Sequence, residues 1–204
     1  PVGYMGNTGC GTCGAHLHWQ VYYNTDTGQG VEPIPVDGVV ASFCVDCTYT
    51  NNGFATDMRL VDNTDAGFSL TGSAACWGNQ TNGYHEGGLD QTGIYYFSYC
   101  RGRTGSPTKT GTWTPILPSA GNYHIYVFVP EHSGLVLTGY AYYQIYSNNT
   151  FLETVTVNQH TYANKWVRLG VFNLSTSGSY VRLTNQTGDA GLPAYDAVMF
   201  VKDF

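Results

Sequence analysis

Tyr123-His124-Ile125-Tyr126-Val127-Phe128-Val129 is a run of aromatic and β-branched residues, preceded by Ala120-Gly121 and closed by Pro130. It is strand-sized and bounded by turn formers, so it reads as a strand fed by the Leu117-Pro118 to Gly121 turn. Five further runs have the same character: Gly139 to Tyr146, Glu153 to Val157, Lys165 to Gly170, Ser179 to Thr184 and Ala197 to Val201. Alternation is visible inside them. Val155 and Val157 oppose Thr154 and Thr156, while Val181 and Leu183 oppose Tyr180 and Arg182, which gives each strand one packed and one wet face. No capped helical periodicity extends beyond a turn, so almost no α-helix is expected. The fold class is all-β, a jelly-roll-like β-sandwich with a short β-rich N-terminal segment. Trp113 and Trp166 are expected as inward core aromatics.

The chain has 204 residues, of which 42 % are hydrophobic, 15 % aromatic and only 11 % charged. That apolar content excludes disorder. Eight basic against fourteen acidic side chains leave a net charge of -6, which offers no footprint for a phosphate backbone and excludes nucleic acid as the expected partner. No apolar run reaches the ~20 residues of a membrane helix. The surface is solvated by Tyr, Thr, Asn and Gly instead of charge, which points to contact with glycans or with copies of the same chain.

Six cysteines, Cys10, Cys13, Cys44, Cys47, Cys76 and Cys100, form an even set. Two C-x-x-C pairs about thirty residues apart are compatible with a zinc ribbon, but the lysine-poor surface favours an oxidising compartment and disulfides. Cys76 and Cys100 flank a Gly- and Tyr-rich loop that a bridge between them would close; the pairing of the other four is open. Sequons begin at Asn79, Asn148, Asn173 and Asn185.

Gly6-Asn-Thr-Gly9, Cys10-Gly-Thr-Cys-Gly14 and Ala15-His16-Leu17-His18-Trp19-Gln20-Val21 form the most chemically pointed stretch. Histidines at i and i+2 of a strand share a face. This stretch resembles the C-terminal signature of the lysostaphin-type zinc endopeptidases over about residues 1–40. The resemblance implies His18 as a zinc ligand and His16 as a catalytic histidine. That family takes its other ligands from an upstream His-x-x-x-Asp, which the sequence from Pro1 onward lacks; catalytic zinc takes three protein ligands. Zinc is therefore expected only if an upstream peptidase part accompanies this chain, and no cofactor otherwise.

Asp62-Asn-Thr-Asp-Ala-Gly-Phe68, Gly111-Thr-Trp-Thr-Pro115, Trp166-Val-Arg-Leu-Gly170 and Tyr195-Asp-Ala-Val-Met-Phe200 resemble the golvesin-type β-domain over about residues 59–204. The resemblance implies an accessory sandwich domain of secreted bacterial enzymes, with glycan or surface binding. Residues 41–58 read as the linker. Asp196, between an exposed-looking Tyr195 and the apolar Ala197-Val198, reads as a turn or strand-end residue, with Asp189 the one nearby candidate for a catalytic partner carboxylate.

Tyr140 and Tyr142 share one face of their strand, and Tyr143 and Ile145 the other. One tyrosine row must face outward, so Tyr140, Tyr142, Tyr143, Tyr95 and Tyr96 are the candidate glycan or interface residues. The functional expectation is a non-catalytic extracellular or cell-surface protein for glycan attachment or for self-assembly into a filament or layer. The alternative is a fragment of a zinc-dependent peptidoglycan endopeptidase carrying a golvesin-type accessory domain.

Overall fold

The computed structural model describes residues 58–72, 74–84, 93–99, 108–132 and 134–203, with the backbone of two short strands before them. Those two strands, β1 (Met5–Gly6) and β2 (His16–Leu17), pair antiparallel with Gly6 opposite His16. Every other N-terminal assignment, including His18 and the cysteines Cys10, Cys13, Cys44 and Cys47, lies outside the described residues.

All six runs read from the sequence are strands. β8 (Gly121–Val129), the run containing Tyr123 to Val129, is central, with β11 (Lys165–Leu174) on one side and β14 (Val198–Lys202) on the other; β3 (Met58–Val61) completes this four-stranded sheet beside β14. The second sheet has five strands in the order β10 (Thr150–Val157), β9 (Ala141–Ser147), β12 (Tyr180–Thr187), β7 (Thr110–Trp113) and β4 (Phe68–Thr71). A smaller sheet joins β13 (Ala194–Tyr195), β6 (Gly93–Ser98) and β5 (Trp77–Gly83). The strand pairings are antiparallel, and a single 3-10 turn at Ala74–Cys76 is the only helical element among the described residues.

The two large sheets close face to face over one core. Tyr123, Ile125, Val127 and Val129 enter it from β8, Val198 and Phe200 from β14, and Tyr143, Ile145, Val181, Leu183 and Trp113 from the facing sheet. This is the expected sandwich, and the expected alternation holds: Val181 and Leu183 are buried and Tyr180 and Arg182 are half-buried outside them. The β9–β10 connection is a two-residue turn in which Asn148 and Asn149 both take positive φ, 49° and 58°. That is the type I′ geometry whose twist matches a hairpin.

Trp113 is in the core, and its indole Nε1–H donates to the carbonyl of Asp196 at 2.6 Å. Trp166 is not. It shares a face with Arg168, whereas Val167 and Leu169 take the inward face, and its ring packs edge-on against Phe128 at 5.3 Å in a separate cluster with Tyr126 and Met199. The sequon asparagine Asn185 has a fully buried side chain that accepts the N–H groups of Thr108 and Lys109, both at 3.1 Å.

Candidate functional site

β9, β10 and β12 are neighbours in the five-stranded sheet, and they end together. Ala141 at the start of β9 pairs with Val157 at the end of β10 and with Thr187 at the end of β12. Three loops, around residues 136–140, 158–160 and 188–191, therefore emerge side by side. They line an open groove of about 460 Å³ bounded by Val136, Leu137, Gly139, Asn158, His160, Asp189 and Gly191.

Asp189 ties the loops together. Its carboxylate accepts from the Thr138 hydroxyl at 2.7 Å and from the N–H groups of Gly139 at 2.7 Å and Gly191 at 2.9 Å. Burial by itself raises the carboxyl, but these donors and the nearby His160 outweigh it and hold Asp189 below the ordinary carboxylate value. The backbone closes the same junction: the Thr138 N–H donates to Leu192, the Leu192 N–H to Val136, and the His160 N–H to Thr138. Gly139 sits between Asp189 and Asn158, where an added Cβ would come within 3.2 Å of Asp189 Oδ2.

Below the 158–160 loop lies a buried anchor. Gln159 is fully buried; its Nε2 donates to the Tyr143 hydroxyl at 2.9 Å and to the Ala194 carbonyl at 2.8 Å, and its Oε1 accepts the Ala194 N–H at 2.9 Å. His132 stacks on His160 with ring centroids 5.8 Å apart. Its Nε2 lies 2.9 Å from the carbonyls of both Gln159 and Tyr162, two acceptors that require the proton on that nitrogen.

Beside the groove stands an aromatic shelf. Tyr140 is 51 % exposed, and with Tyr142 it brackets Gly188, where a Cβ would lie 2.8 Å from the Tyr142 hydroxyl and 2.9 Å from Tyr140 Cγ. The missing side chain at Gly188 is what lets the ring lie against this loop. The groove thus joins an exposed flat ring to an acceptor carboxylate, an amide and an imidazole, a set suited to a ligand rich in hydroxyls. Among the described residues Asp189 is the one carboxylate lining it.

Of the tyrosines singled out from the sequence, Tyr140 and Tyr142 flank this groove. Tyr143 and Tyr95 do not: both are buried, at 1 % and 0 % exposure, Tyr143 in the main core and Tyr95 in a smaller core with Phe97, Leu137, Leu192 and Ala194. Tyr143 lies on the inward face of β9, and Tyr95 on β6 is covered by Leu137, Leu192 and Ala194. Tyr96 packs partly buried on Phe68, ring centroids 6.3 Å apart. Tyr195 is fully buried, not exposed, and Asp196 accepts the Tyr84 N–H, with no bond to Asp189, which serves the groove instead. Cys76 ends the 3-10 turn and its carbonyl accepts the Tyr99 N–H at 2.9 Å. Cys100 lies outside the described residues, and of His16 only the backbone is described. Asn158 and His160 line the groove but are not among the candidate residues read from the sequence. The available signal was Asn158-Gln-His160 directly after a strand and Gly188-Asp-Ala-Gly191 after another.

Comparison with known proteins gives the frame a context. Among solved structures, a Paenibacillus xanthan lyase matches at 25 % identity and TM-score 0.56, covering 73 % of this chain and 13 % of that one. The K1 cleaved adhesin domain of Lys-gingipain from Porphyromonas gingivalis W83 matches at 16 % identity and TM-score 0.42, over 72 % of this chain and 99 % of that domain. The C-terminal CBM6 of LamC, a marine laminarinase from Zobellia galactanivorans, matches at 13 % identity and TM-score 0.34, over 66 % and 99 %. The chain thus spans about an eighth of the xanthan lyase. No curated protein matches. The family model of the golvesin C-terminal domain matches residues 59–202, from the start of β3 to the end of β14, and the chain belongs to that family.

Proposed function

We propose that this protein is an extracellular, non-catalytic module that binds a neutral polysaccharide segment in the groove beside Tyr140. The observation that carries this reading is the continuity of the exposed Tyr140 ring with the Asp189, Asn158 and His160 loops. A ring face packs against the apolar face of a sugar, and the polar groups fix its hydroxyls. The Asp189 carboxylate in the lining and the net charge of -6 favour a neutral glycan over an acidic one. Kinship with part of a xanthan lyase supports a polysaccharide context. Affinity electrophoresis through gels containing neutral glucans, xylans or mannans tests it: retardation lost in Tyr140→Ala supports the proposal, and no retardation of the wild type in any of them overturns it.

The Cys76–Cys100 bridge belongs to the same reading, and the contact of the Cys76 carbonyl with Tyr99 supports it. Self-assembly has its own supporting observation: β10 is an edge strand on which Phe151 is 50 % and Leu152 41 % exposed, an open template for pairing. Concentration-dependent association in sedimentation, lost in Leu152→Lys, is its test. The endopeptidase alternative rests on the His16-Leu17-His18 stretch, and zinc analysis of the native protein tests it.

A further inference from the structure

Away from the groove, β3 and β14 leave their sheet together. Val61 pairs with Val198, so Asp62 and Asn63 leave β3 where Asp196 and Ala197 lead into β14. A tight turn follows on the β3 side, closed by the Asp65 N–H on the Asp62 carbonyl at 3.0 Å and by the Asp62 N–H on the Asp65 carboxylate at 2.8 Å.

The side chains at this junction are rich in oxygen and poor in donors. Asp62 Oδ2 accepts from the Thr64 N–H and hydroxyl, but its Oδ1 is buried without a partner. Asn63 is 5 % exposed, and neither atom of its amide has a partner. Asp196 is 2 % exposed, and among the described residues its carboxylate accepts from the Tyr84 N–H alone, at 3.0 and 3.1 Å. Buried polar groups in native proteins are paired with protein, water or an ion, and an unpaired one is destabilising. Here an unpartnered oxygen of Asp62, the unpartnered amide of Asn63 and the buried carboxylate of Asp196 fall at one strand junction.

We infer that Asp62, Asn63 and Asp196 form a Ca²⁺ site that fastens the first strand of the domain to the last. Oxygen-only donors with two negative charges suit a hard divalent cation and not zinc or copper, which favour nitrogen and sulfur. A bound cation supplies the partner that the buried Asp62 Oδ1 and Asn63 Oδ1 lack.

Trp113 makes the site observable, because its indole is hydrogen-bonded to Asp196. Protein freed of metal with EDTA and titrated with Tb³⁺ is expected to show saturable luminescence on indole excitation, displaced by Ca²⁺. The thermal midpoint should rise by roughly 5–10 °C at a 100-fold excess of Ca²⁺ over its dissociation constant. Asp196→Asn, which can still accept the Tyr84 N–H, and Asn63→Ala should each lose both responses. A wild-type midpoint indifferent to Ca²⁺ and EDTA, or Tb³⁺ emission unchanged in a folded Asp196→Asn or Asn63→Ala protein, overturns the assignment.

Discussion

The Gln159 amide donates to the Tyr143 hydroxyl across 2.9 Å, both groups being buried, and so links the groove to the centre of the sandwich. Burial raises the Tyr143 hydroxyl well above its ordinary value, so it stays neutral. Gln159→Ala strands that hydroxyl together with the N–H and carbonyl of Ala194, at an expected cost of about 3 kcal/mol. Tyr143→Phe leaves the Ala194 bonds in place and should cost about 1 kcal/mol. Urea denaturation of the two variants checks the ranking.

Tyr140 and Tyr143 stand three residues apart and should behave oppositely. Tyr140→Ala removes an exposed ring, so stability should stay within about 0.5 kcal/mol while polysaccharide affinity falls by about tenfold or more, ~1.4 kcal/mol. Tyr143→Ala opens a core cavity and should cost about 4 kcal/mol. Calorimetric melting combined with gel retardation separates the two outcomes.

Because Asp189 is held below the ordinary value of 3.8, the folded protein keeps the carboxylate ionised where the unfolded chain would protonate it. Its contribution is complete above about pH 4 and lost as the pH falls through the lowered value. The part of glycan binding that depends on the Asp189 carboxylate should therefore weaken below about pH 4, and Asp189→Asn should weaken binding across the whole range. A retardation series over pH on both proteins reads this directly.

The proposed Cys76–Cys100 bridge closes a loop of about 25 residues, worth about 3 kcal/mol in the chain-entropy account. Reduction with dithiothreitol is expected to lower the midpoint of unfolding, and Cys76→Ser should reproduce the loss. Peptide mapping without reduction should recover Cys76 and Cys100 in one linked fragment.

How much of this was legible depended on where the information lay. The strands of the core announced themselves through residues such as Ile125, Val127, Val181 and Leu183, because a buried sheet face writes itself into every second position. Trp77 to Gly83 did not: Trp-Gly-Asn-Gln-Thr-Asn-Gly has neither β-branched density nor alternation, and it becomes β5 by pairing with β6. Trp166 was misplaced by its size, although its neighbours Val167 and Leu169 already claimed the inward face. The groove was legible only in part. Alternation marked the outward face of β9, but Asn158, His160 and Asp189 meet through the register of Ala141 with Val157 and Thr187, a long-range pairing that no local pattern encodes.

That shared register at Ala141 also separates recognition from architecture. The three loops grow outward from strand ends already fixed by the sandwich, so the residues at positions 140, 158, 160 and 190 can be exchanged while Gln159 and Asp189 keep the loops stapled in place. One frame can thus be retargeted to different ligands by rewriting a handful of positions. Within this fold, divergence in ligand choice should concentrate at those loop tips and spare the strands beneath them.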